Sequence, residues 1–265
     1  MLLSAAAILL GPFLLLGFLS FNDSRALTFG FRGFTLDSYV SALSDPRAIE
    51  SIAASLLVAG VTTPICLALG TLAAFGVVRF DFRGRATLGG FMGLPLVVPS
   101  LLVGVGALVF FIQLDVDLSL ATVGLMHVVV GFPLVMAIVA AQLYRFDRSL
   151  EEAALDLGAT RRELIWFIVI PYLLPALAAA AIFAFGWSFN SFTLTYFVIG
   201  SETTFPVWVF GRLRRGTNLP VVNAISTLVT VVQVGVVYAA WALLRRSAVR
   251  SGKDVRDVMV GQGPS

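Results

Sequence analysis

Six long apolar stretches, free of Asp, Glu, Lys and Arg, are the feature that most constrains how this sequence can fold. A bilayer core of ~30 Å needs ~20 apolar helical residues to cross it. The chain is 58% hydrophobic and 12% charged, with a mean hydropathy of +0.96, whereas about a quarter of a soluble domain is charged. The sequence therefore predicts an all-α polytopic membrane protein with six transmembrane helices, at residues 2–21, 52–78, 88–112, 121–143, 172–199 and 223–244.

The positions of the basic residues predict which side of the membrane each loop occupies, because Lys and Arg are retained on the cytoplasmic side. With both termini in the cytoplasm, the inner segments hold twelve of the 18 basic residues and the outer segments hold six. This topology is therefore favoured. The twelve are Arg79, Arg83, Arg85, Arg145, Arg148, Arg161, Arg162, Arg245, Arg246, Arg250, Lys253 and Arg256.

The two ends of the chain define its predicted regions. The run MLLSAAAILLGPFLLLGFLSF exceeds the ~7–15 apolar residues of a cleaved signal peptide, so a retained helix is favoured over a signal. The basic tail RRSAVRSGKDVR is expected near anionic lipid rather than nucleic acid. We predict a first helix and outer loop in 1–48, a core of five transmembrane helices in 49–245, and a cytoplasmic tail in 246–265.

A polar segment at residues 145–171 interrupts the apolar pattern on the cytoplasmic side. Ser149 and Glu152 have the spacing of a capping box, so a helix is predicted to begin there. An eight-residue helix is marginal alone, since isolated helices shorter than ~12 residues are unstable in water, and we expect it to dock on a partner. Its apolar residues Leu150, Ala153, Ala154 and Leu157 share one face, and Glu151, Glu152 and Asp156 turn away from it.

A glycine hinge is predicted to follow this helix. Gly158 comes directly after the last apolar position and favours the left-handed conformation that commonly ends helices. Thr160 and Glu163 then repeat the capping-box spacing, which predicts a second helix that continues until Pro171.

This segment resembles the EAA signature of binding-protein-dependent ABC importer permeases. The signature reads E-A-A, three residues, G, nine residues, I-x-L-P, and only Ile170 differs from it here. The resemblance implies that the segment is a coupling helix, which docks in a cleft of a cytoplasmic ATPase subunit. The ATPase-coupling residues implied are Leu150, Glu151, Glu152, Ala153, Ala154, Asp156, Leu157, Gly158, Ile168 and Pro171.

The stretches LPLVVPSLLVGVGALVFF and TTFPVWVFGRLRRGTNLPVVNAISTLV resemble the spermidine/putrescine-type branch of these permeases. This resemblance implies a MetI-like ABC permease fold in a prokaryotic plasma membrane, and translocation of a small polar solute. It also implies separate ABC ATPase subunits, an extracytoplasmic substrate-binding protein and a second permease subunit, for which the branch favours a heterodimer. ATP and magnesium would be bound by the ATPase, and no cofactor by this chain.

The substrate pathway is expected to run past Ser100 and, in the fifth span, past Trp187, Asn190 and Ser191. Members of the branch often carry acidic residues in these two regions, so a polyamine becomes one candidate solute among several. The alternative for the fifth-span residues is hydrogen bonding between helices. The outer segment FPVWVFGRLRRG is interpreted equally as an interfacial helix or as a landing site for the binding protein.

Motifs for catalysis or metal binding do not occur in the sequence. It contains neither a P-loop nor H-E-x-x-H, so we expect no enzymatic activity and no metal site. His127, inside the fourth span, is expected to form an interhelical hydrogen bond rather than a proton relay, and Cys66, inside the second span, to be structural. A secondary transporter is one alternative class, but neither ion-coupling acids nor interrupted helices are evident in the sequence. An intramembrane hydrolase with Ser188 and His127 as a dyad is the other alternative.

Overall fold

The computed structural model describes residues 2–23, 33–216 and 219–250, and the regular elements within these ranges are helices. Nine of the helices have eight or more residues, and a π-helical turn, Ile165–Val169, lies between two of the helices. All helices within the described ranges, including the three shorter than eight residues, are in order α1 (Leu2–Ser20), α2 (Asp37–Leu43), α3 (Pro46–Arg79), α4 (Arg85–Val97), α5 (Ser100–Gln113), α6 (Leu120–Tyr144), α7 (Ser149–Asp156), α8 (Arg161–Leu164), α9 (Ile170–Asn190), α10 (Thr193–Val198), α11 (Phe205–Arg215) and α12 (Leu219–Arg250).

Four continuous helical segments are long and apolar enough to cross a membrane, in agreement with four of the predicted spans. They are α3, α6, the run from Arg161 to Asn190, and Leu219–Ala242 within α12. Helices α4 and α5 together make a fifth span if the pair crosses the bilayer as one. Where the sequence predicts the first span, α1 forms a helix of 19 residues. The chain is therefore a helical, multi-pass membrane protein.

The predicted third span is wrong as a continuous helix, because α4 and α5 meet at an angle of 98°. Val98 is extended, with φ −72° and ψ 129°, and Pro99 precedes the first turn of α5. A residue before proline is pushed out of the helical region by the proline ring, and proline itself has no N–H to donate. The break therefore follows from the local sequence.

The predicted fifth span also ends early. Helix α9 stops at Asn190, Ser191 is extended, with φ −68° and ψ 110°, and the short helix α10 follows. The Asn190 side chain donates a hydrogen bond to the Gly186 carbonyl at 2.8 Å. The Thr195 hydroxyl donates to the Ser191 carbonyl, also at 2.8 Å. Side chains thus satisfy backbone carbonyls at the break, which an apolar environment requires.

Two compact units make up the chain, and each is described by itself. The first comprises residues 1–56 and 202–239. Within it the Arg212 guanidinium pairs with Asp45 at 2.5 Å and lies 5.1 Å from the ring centre of Trp208. The Ser55 hydroxyl accepts a hydrogen bond from the backbone N–H of Phe205 at 2.9 Å. These contacts tie α11 to the first turns of α3.

The second unit, which includes residues 57–201, is built around α6 and its packing against α3 and α9. Small residues allow α6 to approach α3 closely. A methyl group on Gly70 would lie 2.7 Å from Val135, and one on Gly131 would lie 3.0 Å from the sulfur of Cys66. Helices in membranes associate largely through such close packing, because lipid supplies little hydrophobic driving force. The buried thiol of Cys66 is therefore part of the packing.

Candidate functional site

The polar segment forms a short helix with a complete C-terminal cap. The backbone N–H of Gly158 donates to Leu155, and that of Ala159 donates to Ala154. Gly158 has φ +85°, in the left-handed region. These two bonds and this conformation make a Schellman motif, which satisfies carbonyls at the end of α7. The predicted glycine turn is therefore present at Gly158.

The predicted capping box of Ser149 and Glu152 is wrong, although the helix does begin at Ser149. The carboxylate of Asp147 accepts the backbone N–H of Ser149 at 2.9 Å, two residues earlier than predicted. Hydrogen bonds from Ser149 hold the pKa of Asp147 below its usual value, because they favour the charged carboxylate. Both the Asp147 carboxylate and the Ser149 hydroxyl could accept a backbone N–H at this helix start, and the charged carboxylate of Asp147 does so.

One face of α7 is exposed and apolar. Leu150 is 52% exposed and Leu157 is 89% exposed, with the exposed Ala153 between them. Ala154, by contrast, packs against the core of the second unit. The predicted apolar face is therefore divided, with Leu150, Ala153 and Leu157 available to a partner. We call these three residues the exposed face of α7.

Glu151 does not turn away from the molecule as predicted. Its carboxylate lies 2.5 Å from the guanidinium of Arg79 at the end of α3, and both side chains are largely buried. The same guanidinium lies 5.0 Å from the ring centre of Phe146. Phe146 in turn packs edge-on against Tyr172 of α9, with ring centres 4.9 Å apart. This set of contacts links α7 to both α3 and α9.

The sequence pattern predicted neither the contact of Arg79 with α7 nor that of Phe146 with Arg79 and Tyr172. Arg79 enters the sequence prediction only as one of the basic residues that orient the chain. Its partner is distant in sequence, so no local spacing pointed to the pair. Arg148 makes a second tie, with its guanidinium donating to the carbonyl of Val78 at 3.4 Å.

A continuous helical run leads from the segment into the membrane. The capping box of Thr160 and Glu163 is formed as predicted, since each side chain accepts the other residue's backbone N–H. The helix then widens into the π turn, where Ile170 donates to the carbonyl of Ile165. Pro171 follows within the first turn of α9, where its missing N–H is tolerated. Ile168 is half-buried against the core.

The four predicted pathway residues lie beside the two helix breaks. Ser100 begins α5, and Asn190 and Ser191 are at the break after α9. Ser100 and Asn190 are exposed, whereas Trp187 and Ser191 are half-buried. Trp187 packs edge-on against His127, with ring centres 5.4 Å apart. The structure brings Asn190 and Ser191 together as neighbours and places Trp187 one turn before them.

Helices α5 and α10, which follow the two breaks, pack against each other. A methyl group on Gly104 would lie 2.9 Å from the ring of Phe197 and 3.5 Å from the backbone of Leu194. Further along, Ala107 and Phe111 share a buried cluster with Val198 and Ile199. The residue numbers rise together along both helices, so the pair is parallel. The expectation that no helices are interrupted is therefore wrong, since both α4–α5 and α9–α10 are broken.

Three polar side chains form a hydrogen-bonded network with His127 inside the second unit. Nδ1 of His127 lies 2.8 Å from the Ser188 hydroxyl, and Nε2 lies 2.9 Å from that of Thr195. The hydroxyls of Thr62 and Ser188 are 3.1 Å apart. His127 is 1% exposed and Ser188 5% exposed. The expected interhelical bond of His127 is thus present, but the threonines were not predicted.

The outer segment forms the amphipathic helix α11. Phe205 and Trp208 are buried within its own unit, and Arg212 is held by Asp45. Arg214 and Arg215 at the end of the helix are exposed. Neither of the two interpretations of this segment is decided by these contacts. Among the residues that the structure describes, no group of three His, Cys, Asp or Glu side chains is arranged to hold a metal.

The fold and the signature segment define the class of protein, a helical, multi-pass membrane permease. Residues 67–249 match the family described as binding-protein-dependent transport system inner membrane component, and the chain belongs to this family. It is 33% identical to the putrescine transport system permease protein PotI of Escherichia coli (strain K12), over 96% of this chain and 93% of that one. It is 28% identical to the spermidine/putrescine transport system permease protein PotC of Shigella flexneri, over 92% of each chain.

Solved structures of transporters share the fold. A bacterial alginate ABC transporter, in complex with an alginate pentasaccharide-bound periplasmic protein, matches with a TM-score of 0.66 and 16% identity over 80% of this chain and 83% of that one. The MetNI methionine ABC transporter in an inward-facing conformation matches with a TM-score of 0.59 and 17% identity, over 80% of this chain and 99% of that one. The predicted MetI-like ABC permease fold is therefore confirmed.

Proposed function

We propose that this permease subunit is driven by an ABC ATPase that grips the exposed face of α7. The observation that carries the proposal is a short helix, closed at its C-terminus by the turn at Gly158, whose exposed face presents Leu150 and Leu157 to solvent while the ion pair of Glu151 fixes its other side. Exposed apolar residues on a rigid helix are the usual anchors for a groove on a partner. The termini and this segment would then be cytoplasmic.

Movement of α7 would reach the membrane by two routes. One is the helical run through the π turn and Pro171 into α9, which ends at the break beside Asn190 and Ser191. The other is the contact of Glu151 with Arg79 at the end of α3. Rigid-body displacement of packed helices is a common switching mode, and here it would alternate access to the solute pathway.

Putrescine is the first solute to test, since the relatives PotI and PotC are named as putrescine and spermidine/putrescine permeases. The six spans predicted from the sequence contain no carboxylate to neutralise an ammonium group. Trp187 and the polar groups of Ser100, Asn190 and Ser191 would instead make weak contacts, through the aromatic ring face and hydroxyl or amide oxygens.

The remaining parts of the importer would be other chains. An extracytoplasmic binding protein would deliver the solute, a second permease subunit would complete the pathway as a heterodimer, and the ATPase would hold ATP and magnesium. This chain would carry no catalytic residue. Ser188 and His127 are within hydrogen-bonding distance, but both are buried and an acyl substrate has no access to the hydroxyl.

The coupling role is tested with two matched glycine variants. Gly158 and Gly84 both have left-handed backbones, at φ +85° and φ +89°, and open space where a side chain would go. Gly158→Leu should assemble normally but lose the stimulation of ATP hydrolysis by the loaded binding protein. Gly84→Leu, with equal backbone strain outside the segment, should keep it. Normal stimulation in Gly158→Leu would contradict the proposal.

The solute is tested separately by identifying the binding protein that co-purifies with the assembled importer and measuring which solute it retains. Retention of putrescine, together with stimulated ATP hydrolysis in proteoliposomes, is the expected result. Retention of a neutral or anionic solute would overturn the polyamine assignment and leave the coupling proposal standing.

A further inference from the structure

The polar side chains around His127 connect the part of the fifth span before its break to the part after it. Ser188 belongs to α9 and Thr195 to α10, and His127 of α6 contacts both, one with each ring nitrogen. Thr62 of α3 extends the set. His127, Thr62, Thr195 and Ser188 are all buried. We call these four residues the histidine network.

The proton positions follow from donor accounting, because each hydroxyl has one hydrogen to donate. If Nε2 of His127 carries the ring proton, Thr195 accepts it and donates to the Ser191 carbonyl at 2.8 Å. Ser188 then donates to Nδ1, and Thr62 donates to Ser188 at 3.1 Å. Every bond in this direction is between 2.8 and 3.1 Å.

The opposite direction of hydrogen-bond donation ends in a weaker hydrogen bond. With the proton on Nδ1, His127 would donate to Ser188, Ser188 to Thr62, and Thr62 to the carbonyl of Ala59 at 3.5 Å. A hydroxyl hydrogen bond is normally 2.5–3.0 Å, so this last bond is weak. The Ser191 carbonyl would also lose its donor from Thr195, whose single hydroxyl hydrogen would go to Nε2 of His127 instead.

We infer that His127 is a positioning residue: as the neutral Nε2–H tautomer, it directs a hydrogen-bond chain to the Ser191 carbonyl and so holds the break that carries Asn190 and Ser191. Thr122 reinforces the arrangement, because its hydroxyl hydrogen, shared with the Ser119 carbonyl at 2.8 Å, also reaches the Val198 carbonyl at the other end of α10 at 2.7 Å. Both ends of α10 are therefore tied to α6. The transport consequence rests on the proposed function, whereas the tautomer does not.

The tautomer is tested by nitrogen NMR of the chain labelled only at histidine, in lipid with unlabelled partner subunits and a tag that contains no histidine. His127 is the only histidine in the sequence, so one residue gives all the signal. We expect an unprotonated Nδ1 and a protonated Nε2. A protonated Nδ1 with an unprotonated Nε2, or a doubly protonated ring, would overturn the inference.

Two variants of Thr195 separate positioning from packing. Thr195→Val removes the hydroxyl and keeps the shape, whereas Thr195→Ser keeps the hydroxyl. Thr195→Val should shift the Nε2 signal and lower the maximal rate of putrescine uptake about threefold, the factor that ~0.6 kcal/mol for a membrane hydrogen bond represents. The apparent KM, set by the binding protein, should not change. Thr195→Ser should retain both the signal and the rate.

The outcomes distinguish this inference from the proposed function. A normal Nε2 signal in Thr195→Val, or an equal loss of uptake in Thr195→Ser, would contradict the positioning role. If the unmodified importer does not transport putrescine, the solute assignment fails, while the tautomer measurement still decides the network. His127→Leu, compared with His127→Gln, repeats the uptake test at the ring: partial rescue by Gln is expected, and none would count against the role.

Discussion

At the scale of single residues, two glycines with left-handed backbones differ in the space available for a side chain. Gly158 has φ +85° and open space around it, whereas a methyl group on Gly200, at φ +72°, would lie 2.2 Å from the carbonyl oxygen of Leu118. Gly158→Ala should cost about 1–2 kcal/mol, the strain of a left-handed residue. Gly200→Ala should cost clearly more, because backbone must move as well. Thermal unfolding of the two purified variants in detergent measures the difference, and equal losses would refute this explanation.

The same scale shows what local sequence can predict. The turn at Gly158 and the capping box of Thr160 and Glu163 depend on groups within a few residues, and both are present as predicted. The start of α7 at Ser149 is as predicted, but its cap is not, because the Asp147 carboxylate rather than the Ser149 hydroxyl accepts a backbone N–H there. The partners of Glu151 and His127 are distant in sequence, so only the folded chain reveals them. Which residues line the solute pathway stays a prediction.

At the scale of elements, the ion pair of Arg79 and Glu151 joins α3 to α7. Removing one partner leaves the other largely buried and unpaired, which costs more than the pair itself contributes. Glu151→Ala should therefore weaken association with the ATPase and the stimulation of ATP hydrolysis. The exchanged pair, Arg79→Glu with Glu151→Arg, should restore part of the activity, since the charges match but the contact of Arg79 with Phe146 is lost.

ATP hydrolysis by the reconstituted importer, with and without the loaded binding protein, measures this effect. Asp81→Ala is the matched control, because it removes an exposed ion pair with Arg85 that lies outside the segment. Glu152→Ala is not suitable, because Glu152 belongs to the EAA signature. If the exchanged pair is no better than Glu151→Ala, the charge interaction is not what links α7 to α3.

Elements were predicted better in position than in number or continuity, since six spans were predicted and the described residues give four, or five if α4 and α5 count as one. Composition identifies apolar helices because the bilayer sets their length, and four continuous spans are found where the sequence predicts them. Composition does not indicate where a transmembrane helix bends or breaks. Pro99 gave a local reason for the break between α4 and α5, whereas the break at Ser191 depends on Asn190 and Thr195 bonding to carbonyls after the chain has folded.

At the scale of the whole molecule, orientation in the membrane is the property on which the proposed coupling depends. The distribution of basic residues predicts that α7 is cytoplasmic and α11 extracytoplasmic. A single introduced cysteine at each site tests this, because the native Cys66 is 2% exposed and should not react. Leu157 is 89% exposed and Arg214 is also exposed, so neither substitution disturbs packing.

A maleimide that cannot cross membranes should label Arg214→Cys in intact cells and Leu157→Cys only in inside-out vesicles, with the unmodified chain as the unlabelled control. Co-expression of the ATPase should then protect Leu157→Cys and leave Arg214→Cys unchanged, because a partner seated on the exposed face of α7 covers position 157. Labelling of Leu157→Cys in intact cells would place the helix on the outer side, where no ATPase can reach it. Labelling on the inner side without protection would keep the orientation but exclude docking at this face.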